Sequence, residues 1–385
     1  MRTTDLARLS QPYPDDPDGN PGGPTRALGV EAPNWDALER RIFDDLTVEH
    51  PYGIGWWAPH PGTSRRILIS DQFYACTTSV STNFVEAGVH WLELLDAVDR
   101  EDSFQADVIQ IVNGQPQMRA RRRTTPLESL GPEIVRLHEV GVVRALSGAL
   151  DCAAGTVIGV MALPLSILKA DFLGVLRHFS RRRAAPTTDG ERLQQQFALQ
   201  LTETIGHVGP VGWLDWVLSF RNMLVHRGRR IEIGQFVPRE PVLRDARGRP
   251  ILRARVITHL PLEPDRSDVD VHLEPNLPPV LTEDVKQTLE GAMGSVRALI
   301  EALGEQLAAA WEWRKAHPTE LVQPSAQWPR VGDEARPNQQ QPFAGYAPGS
   351  YAYAPGMFSS HPNTVKRMLA AALMDHQRHN WSGFD

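Results

Sequence analysis

The chain has 385 residues, 41% of them hydrophobic, and a formal net charge of -6. That length and apolar content can bury one large core or two smaller ones. The acidic balance excludes a protein that coats nucleic acid non-specifically and leaves such contacts to local basic clusters. Cys76 and Cys152 stand far apart in sequence and belong to no ligand motif, which excludes a disulfide framework or a cysteine-based zinc site and fits a reducing compartment.

Residues 1–34, rich in Pro, Gly and Asp with little periodicity, read as a flexible leader. They lack the basic start, apolar run and small-residue cleavage site of a secretory signal, so a cytoplasmic protein is expected. Residues 35–81 read as a small α/β extension. Trp35, Leu38, Ile42 and Leu46 mark a short helix, and Arg65-Arg-Ile-Leu-Ile-Ser70 a strand.

A helical domain is expected over 82–317. Its first helix is capped by Asn83, uses Val85, Val89, Leu92 and the Leu94-Leu95 pair as its apolar face, and ends near Arg100. A strand follows at Asp107–Val112, and then a basic loop from Gln115 to Pro126 carrying Arg119, Arg121, Arg122 and Arg123. Further helices are expected over Pro132–Leu150 and Cys152–Leu163, the latter ending there or continuing, kinked by Pro164, to Phe179. The apolar run Ala153–Leu168 is shorter than the roughly 20 residues of a membrane span and reads as a core helix, so no membrane association is expected. Leu193, Phe197, Leu201 and Ile205 mark the helix before the central one.

After residue 230 the periodicity changes to alternation. Ile231–Val237, Val242-Leu243, Pro250–Thr258 and Val269–Leu273 predict a small antiparallel sheet inserted over about 231–279, with a turn at Asp245-Ala-Arg-Gly248. Thr282 then caps a long helix whose apolar seam runs from Val285 through Leu289, Val296, Ile300, Leu303 and Leu307 to Trp311. Residues 318–363, rich in Pro, Gln and Gly, read as a disordered linker, and 364–380 as a terminal amphipathic helix able to dock on this chain or on a partner protein.

The chemistry concentrates between Trp213 and His226. On a helix, Trp213, Trp216, Val217, Phe220 and Leu224 form a core-facing stripe, with Asp215, Ser219, Asn222 and His226 on the opposite side. Arg221 stands at the margin and can reach over the polar side. Arg227, Arg229 and Arg230 follow at once. The remaining histidines, among them His60, His90, His138, His207 and His259, show no metal spacing and read as surface or satisfied core residues; no metal and no cofactor is expected.

Arg221-Asn222-Met-Leu-Val-His226 resembles the signature of the HEPN superfamily: an arginine, a polar residue often Asn, three further residues and a histidine, on a late helix of an all-helical bundle. The resemblance covers residues from about Thr82 to Trp311. It implies a mainly α fold, an HEPN-like helical bundle which pairs into homodimers with the motif helices lining a shared cleft; the inserted sheet, the N-terminal portion and the disordered Pro-rich tail do not belong to the family's minimal form. It also implies a metal-independent endoribonuclease, in the setting of a toxin or an antiviral, phage-defence effector. His226 would be the general base or acid, Arg221 the stabiliser of charge on the phosphoryl oxygens, and Asn222 an orienting partner. Arg227, Arg229 and Arg230 would hold the RNA phosphates without reading sequence. On an uninterrupted helix Arg221 and His226 lie roughly 140° apart, so a cleft built from two copies is required to aim both at one phosphate. Two other readings fit the same residues: a non-catalytic HEPN-like module binding a partner protein or nucleotide, and a structural stripe bonded to neighbouring helices.

Overall fold

In the computed structural model, the described residues are 28–45, 63–112, 115–118, 123–181, 185–227, 233–244, 246–248, 250–266, 273, 279–317 and 320–321. The elements in chain order are α1 (Pro33–Asp45), α2 (Thr63–Val108), β1 (Ile109–Val112), β2 (Gln115–Met118), α3 (Pro126–Ser129), α4 (Gly131–Val160), α5 (Phe172–Ser180), α6 (Asp189–His207), α7 (Trp213–Asn222), β3 (Ile233–Arg244), β4 (Pro250–Pro261), β5 (Val280–Asp284) and α8 (Val285–Ala316). The architecture is mainly helical with a small antiparallel sheet, as expected. The leader to residue 27, the linker from 322 and the terminal helix 364–380 lie outside the described residues.

Several expected elements are corrected. Arg65–Ser70 is helical, not a strand, so the extension 35–81 holds only helix among its described residues. A short apolar run fits either state. What decides is its continuation: Phe73, Thr77, Val80, Phe84 and Ala87 are all buried and recur at alternating spacings of four and three, with buried Leu94 seven positions on, the repeat of one helix face. Asn83 therefore sits inside α2 rather than capping it, and the buried face is Phe84, Ala87 and Leu94, with Val89 48% exposed. Gln115–Met118 is a strand paired with β1, not loop. The two helices expected at 132–163 are one, α4, which stops at Val160. Ala162 there turns to φ +48, and Pro164 lacks the N–H a continuing helix needs, so the chain breaks instead of kinking on to Phe179. Thr282 lies within β5; Asp284 caps α8, its Oδ1 accepting from the Gln287 N–H at 2.9 Å.

The chain forms two compact units interleaved along the sequence. The first takes 1–32, 81–149 and 202–300. Here α2 and α4 run antiparallel at close range, because glycines let side chains of α2 reach the α4 backbone: a Cβ at Gly148 would stand 2.3 Å from Asn83 Oδ1. The sheet, in the order β2-β1-β4-β3 with β5 also on β4, is antiparallel throughout. Val108, Ile109 and Ala254 form its small buried core. The register of β3 on β4 slips between Arg239 and Leu243, where Pro241 cannot donate to a ladder.

The second unit takes 33–80, 150–201 and 301–385. Trp35, Leu38, Ile42, Phe73, Leu303, Leu307 and Trp311 pack in its interior, all fully buried. The indoles also direct hydrogen bonds: Trp35 Nε1 donates to the Thr77 carbonyl at 2.9 Å, and Trp311 Nε1 to Asp45 Oδ2 at 2.7 Å. Burial pushes the Cys76 thiol up to about 11 and the Cys152 thiol up to about 12, so both stay protonated at neutral pH. Among the described helices, α4 alone is long and apolar enough to cross a membrane, and 72% of its most apolar window is buried within the protein.

Gly304 sets how closely α1 approaches α8. A Cβ there would stand 2.6 Å from both the Asn34 carbonyl carbon and the Trp35 nitrogen, backbone atoms that cannot swing aside. Gly304→Ala is expected to lower stability by about 2–3 kcal/mol. Gly294→Ala, on the same helix with nothing within 4 Å, should raise it by about 0.5–1 kcal/mol through helix propensity. Urea unfolding of the two variants measures the pair, and equal shifts would contradict the close contact.

Candidate functional site

The first unit holds the motif helix α7. Gly212, at φ +81, turns the chain into it without a side-chain cap, and the Trp216 N–H donates to the Gly212 carbonyl at 2.9 Å. Two indoles then fix the helix. Trp213 Nε1 donates to the Ile205 carbonyl at 3.0 Å, at the end of α6, and Trp216 Nε1 to the Pro261 carbonyl at 2.8 Å, at the end of β4. Trp213, Val217 and Phe220 are buried as the periodicity predicts, and Trp216 stacks on Phe220 with ring centroids 4.8 Å apart.

On the opposite side Asp215 is exposed and Ser219 half-buried. Both line an open groove of about 640 Å³, closed across by Leu262–Arg266. Its ionisable lining is Asp215, Glu263 and Asp265 against Arg266. A surface of that sign does not attract anions.

The C-terminal end of α7 carries the motif. Arg221 and Asn222 are both half-buried, and Arg221 Nη1 donates to Asn222 Oδ1 at 2.9 Å. Neighbours in sequence do not ordinarily face each other on a helix, so this bond folds the guanidinium back over the asparagine. Directly after Asn222 the helix widens into a π turn, Met223–Arg227. Met223, three positions after Phe220, continues the buried face, while Leu224 is half-buried, a correction to the expected stripe. The wide turn brings the backbone positions of residues 221 and 226 closer around the axis than the roughly 140° of an uninterrupted α-helix. Histidine 226 and Arg227 have their backbone in this turn, whereas Arg229 and Arg230 lie outside the described residues.

The basic run at 119–123 divides differently from its sequence reading. Arg123 stacks 4.1 Å above the Phe104 ring and donates from Nη1 to Glu101 Oε2 at 2.9 Å and from Nη2 to Glu101 Oε1, a fork that raises its pKa. It is thereby committed within the fold; 119–122 lie outside the described residues.

Sequence reasoning also missed a histidine pair, because the two rings come from helices 48 positions apart. His90 on α2 and His138 on α4 set their Nδ1 atoms 3.1 Å apart, with Glu86 Oε1 3.9 Å from His90 Nε2. Burial, and next the neighbouring His90, pull the His138 pKa below its ordinary 6.5, against the opposing pull of Glu93. The folded state thus binds its proton more weakly than the unfolded state. The stabilising effect is complete above pH 6.5 and is lost as pH falls below that value. Unfolding at pH 8 and pH 5.5 should therefore show a larger acid loss in the unaltered protein than in His138→Asn; identical slopes would contradict it.

Among the described residues no group of three or more His, Cys, Asp or Glu is placed to hold a metal ion. Comparison with known proteins returned no matching family model, no matching characterised protein and no matching solved structure.

Proposed function

We propose that the chain is a metal-independent endoribonuclease of HEPN type, with Arg221, Asn222 and His226 as its reactive set and Arg227, Arg229 and Arg230 as phosphate contacts. The observation that carries the reading is the π turn at Met223–Arg227, within the motif and immediately after the bonded Arg221–Asn222 pair. Such turns are uncommon and concentrate at functional sites. Here the wide turn follows a helix tied to its neighbours by two partly buried indole bonds.

In the proposed reaction the ribose 2′-oxygen attacks the adjacent phosphorus. The P–O bond to the 5′-oxygen breaks, and the products end in a 2′,3′-cyclic phosphate and a 5′-hydroxyl. One histidine takes the 2′-OH proton, and a second, from another copy of the chain, gives a proton to the leaving oxygen, so the step is proton-neutral. Arg221 neutralises charge on the non-bridging oxygens, and its bond to Asn222 fixes the guanidinium before substrate arrives. The homodimer, the cytoplasmic setting and the toxin or phage-defence context belong to the same proposal.

The acidic groove beside Asp215 favours a second reading, a non-catalytic module binding a partner through α7. The test is incubation of purified full-length protein with RNA in EDTA, followed by analysis of the product ends. Cyclic phosphate ends that persist in EDTA, and vanish with Arg221→Ala or His226→Ala, support the nuclease. Equal cleavage by all three proteins would sink it. Truncation after residue 330 separates the readings further, since a nuclease keeps its cleavage and an adaptor recruiting through the tail loses its partner. The cut must spare Leu321, whose carbonyl is held by Arg314.

A further inference from the structure

The histidine pair of the first unit has a chemistry that the proposed nuclease does not use. His90 on α2 and His138 on α4 present the same ring nitrogen to each other, with the two Nδ1 atoms 3.1 Å apart and the ring planes tilted by 53°. Whichever ring carries a proton on Nδ1, the other directs a lone pair into that gap. A transition ion held roughly 2.0–2.1 Å from two imidazole nitrogens at that separation subtends about 95–100° between them, an angle between the square or octahedral and the tetrahedral value. The rings meet nearly head-on, with centroids 5.3 Å apart. Sharing one ion therefore takes a small turn of each ring.

Helix packing holds the pair in place. Gly141, about one turn beyond His138 on α4, leaves room for the other ring, since a Cβ there would stand 2.4 Å from His90 Cγ. Both histidines are half-buried, and the His90 side chain keeps 26% of its surface exposed, so the pair is open to solvent. On α2, Glu86, His90 and Glu93 fall at i, i+4 and i+7, on one face of the helix. Glu86 Oε1 stands 3.9 Å from His90 Nε2, where it favours the tautomer with a proton on Nε2 and a lone pair on Nδ1. Glu93 acts on His138 against the influence of Arg100, and Arg100 is itself bonded to Asp96. The local charge of Glu86, Glu93 and the Arg100–Asp96 pair is negative, which favours a cation over an anion.

We infer that His90 and His138 hold one divalent ion of the imidazole-binding class, such as zinc, copper or nickel, through their Nδ1 atoms, with water completing the coordination. Imidazole nitrogen selects these ions over magnesium and calcium, which take oxygen ligands. The set stops at two protein ligands, because among the described residues no third His, Cys, Asp or Glu is placed to bind with them. The ligands come from α2 and α4, 48 positions apart. A bound ion therefore ties the two helices together and stabilises the folded state according to its occupancy.

The test uses the full chain, treated with EDTA, desalted and titrated with zinc chloride by calorimetry. The expected result is one equivalent of zinc that raises the thermal unfolding midpoint by several degrees, while magnesium at the same concentration leaves it unmoved. His90→Asn and His138→Asn should each weaken that binding at least tenfold and abolish the rise. The rise is measured within each variant, so a changed metal-free midpoint does not obscure it. Glu93→Gln removes a charge but neither ligand, and should weaken zinc several-fold while keeping the single equivalent. A zinc-independent midpoint in the unaltered protein would reduce the pair to a hydrogen bond only and overturn the inference. So would zinc binding of equal strength in both histidine variants, which would place the ion elsewhere on the chain.

Discussion

Arg314→Ala is expected to destabilise the second unit by roughly 3–5 kcal/mol. Its guanidinium is only 1% exposed and is spent on backbone carbonyls. Nη1 donates to Gly159 at 2.6 Å and to Val160 at 2.9 Å, and Nη2 donates to Leu321 at 2.8 Å. The first two are among the carbonyls that every helix leaves without a partner in its last turn, so Arg314 caps α4 where the chain breaks. Burial holds its pKa well below the ordinary arginine value. A buried charge of this kind is stable only while each of its hydrogen bonds is made. Removing it takes the donor from the Val160 and Leu321 carbonyls and leaves Gly159 with only the long bond from the Ala162 N–H at 3.4 Å, each lost partner costing about 1–3 kcal/mol before water enters. Arg314→Met fills much of the volume but supplies no donor, and should lose nearly as much. Urea unfolding compares them, and a methionine variant within about 0.5 kcal/mol of the original would show that packing rather than donation matters there.

On the proposed nuclease reading, Arg221→Ala and His226→Ala should each reduce RNA cleavage by roughly 10²- to 10³-fold, the loss expected on removing a preorganised charge stabiliser or a general acid–base group. Groups that act on one transition state are not additive, so the double variant should be little worse than either single one. Arg221→Lys keeps the charge but loses the planar guanidinium that bonds Asn222, and on the same reading should recover only part of the rate. Asn222→Ala frees the guanidinium without removing it, so its loss should be smaller than that of Arg221→Ala. The proposed dimer, checked by sedimentation, should be unchanged in all five variants. A cleavage rate insensitive to Arg221 would return the segment to the binding-module reading.

Much of the fold was legible where periodicity was long and unbroken. Leu193, Phe197 and Leu201 lie on α6, and Val285 through Trp311 on α8, because a seam repeated over many turns has only one helical solution. The short run at Arg65–Ser70 had no such repetition and took its state from the heptad seam that follows it. The strand Gln115–Met118 contains Pro116 and has no alternation to read; its pairing with β1 makes it a strand. Cap positions failed for a related reason. Asn83 and Thr282 have suitable side chains, but whether a residue caps depends on where the backbone leaves the helix, and packing sets that point.

For the candidate site, the chemical content is sequence information. Arg221, Asn222 and His226 are singled out by the family resemblance their types and spacing carry, and the buried stripe of Trp213, Val217 and Phe220 follows from helical periodicity alone. The tertiary structure decided what spacing could not. Nothing in residues 223–227 announces a wide turn, because an i→i+5 step costs hydrogen-bond geometry that only surrounding contacts can compensate. The bond from Arg221 to Asn222 required a rotamer, not a motif. The His90–His138 pair and the forked, stacked Arg123 required helices and loops distant in sequence to meet. Local residue types therefore determined which groups are available for chemistry, and long-range packing determined which of them meet.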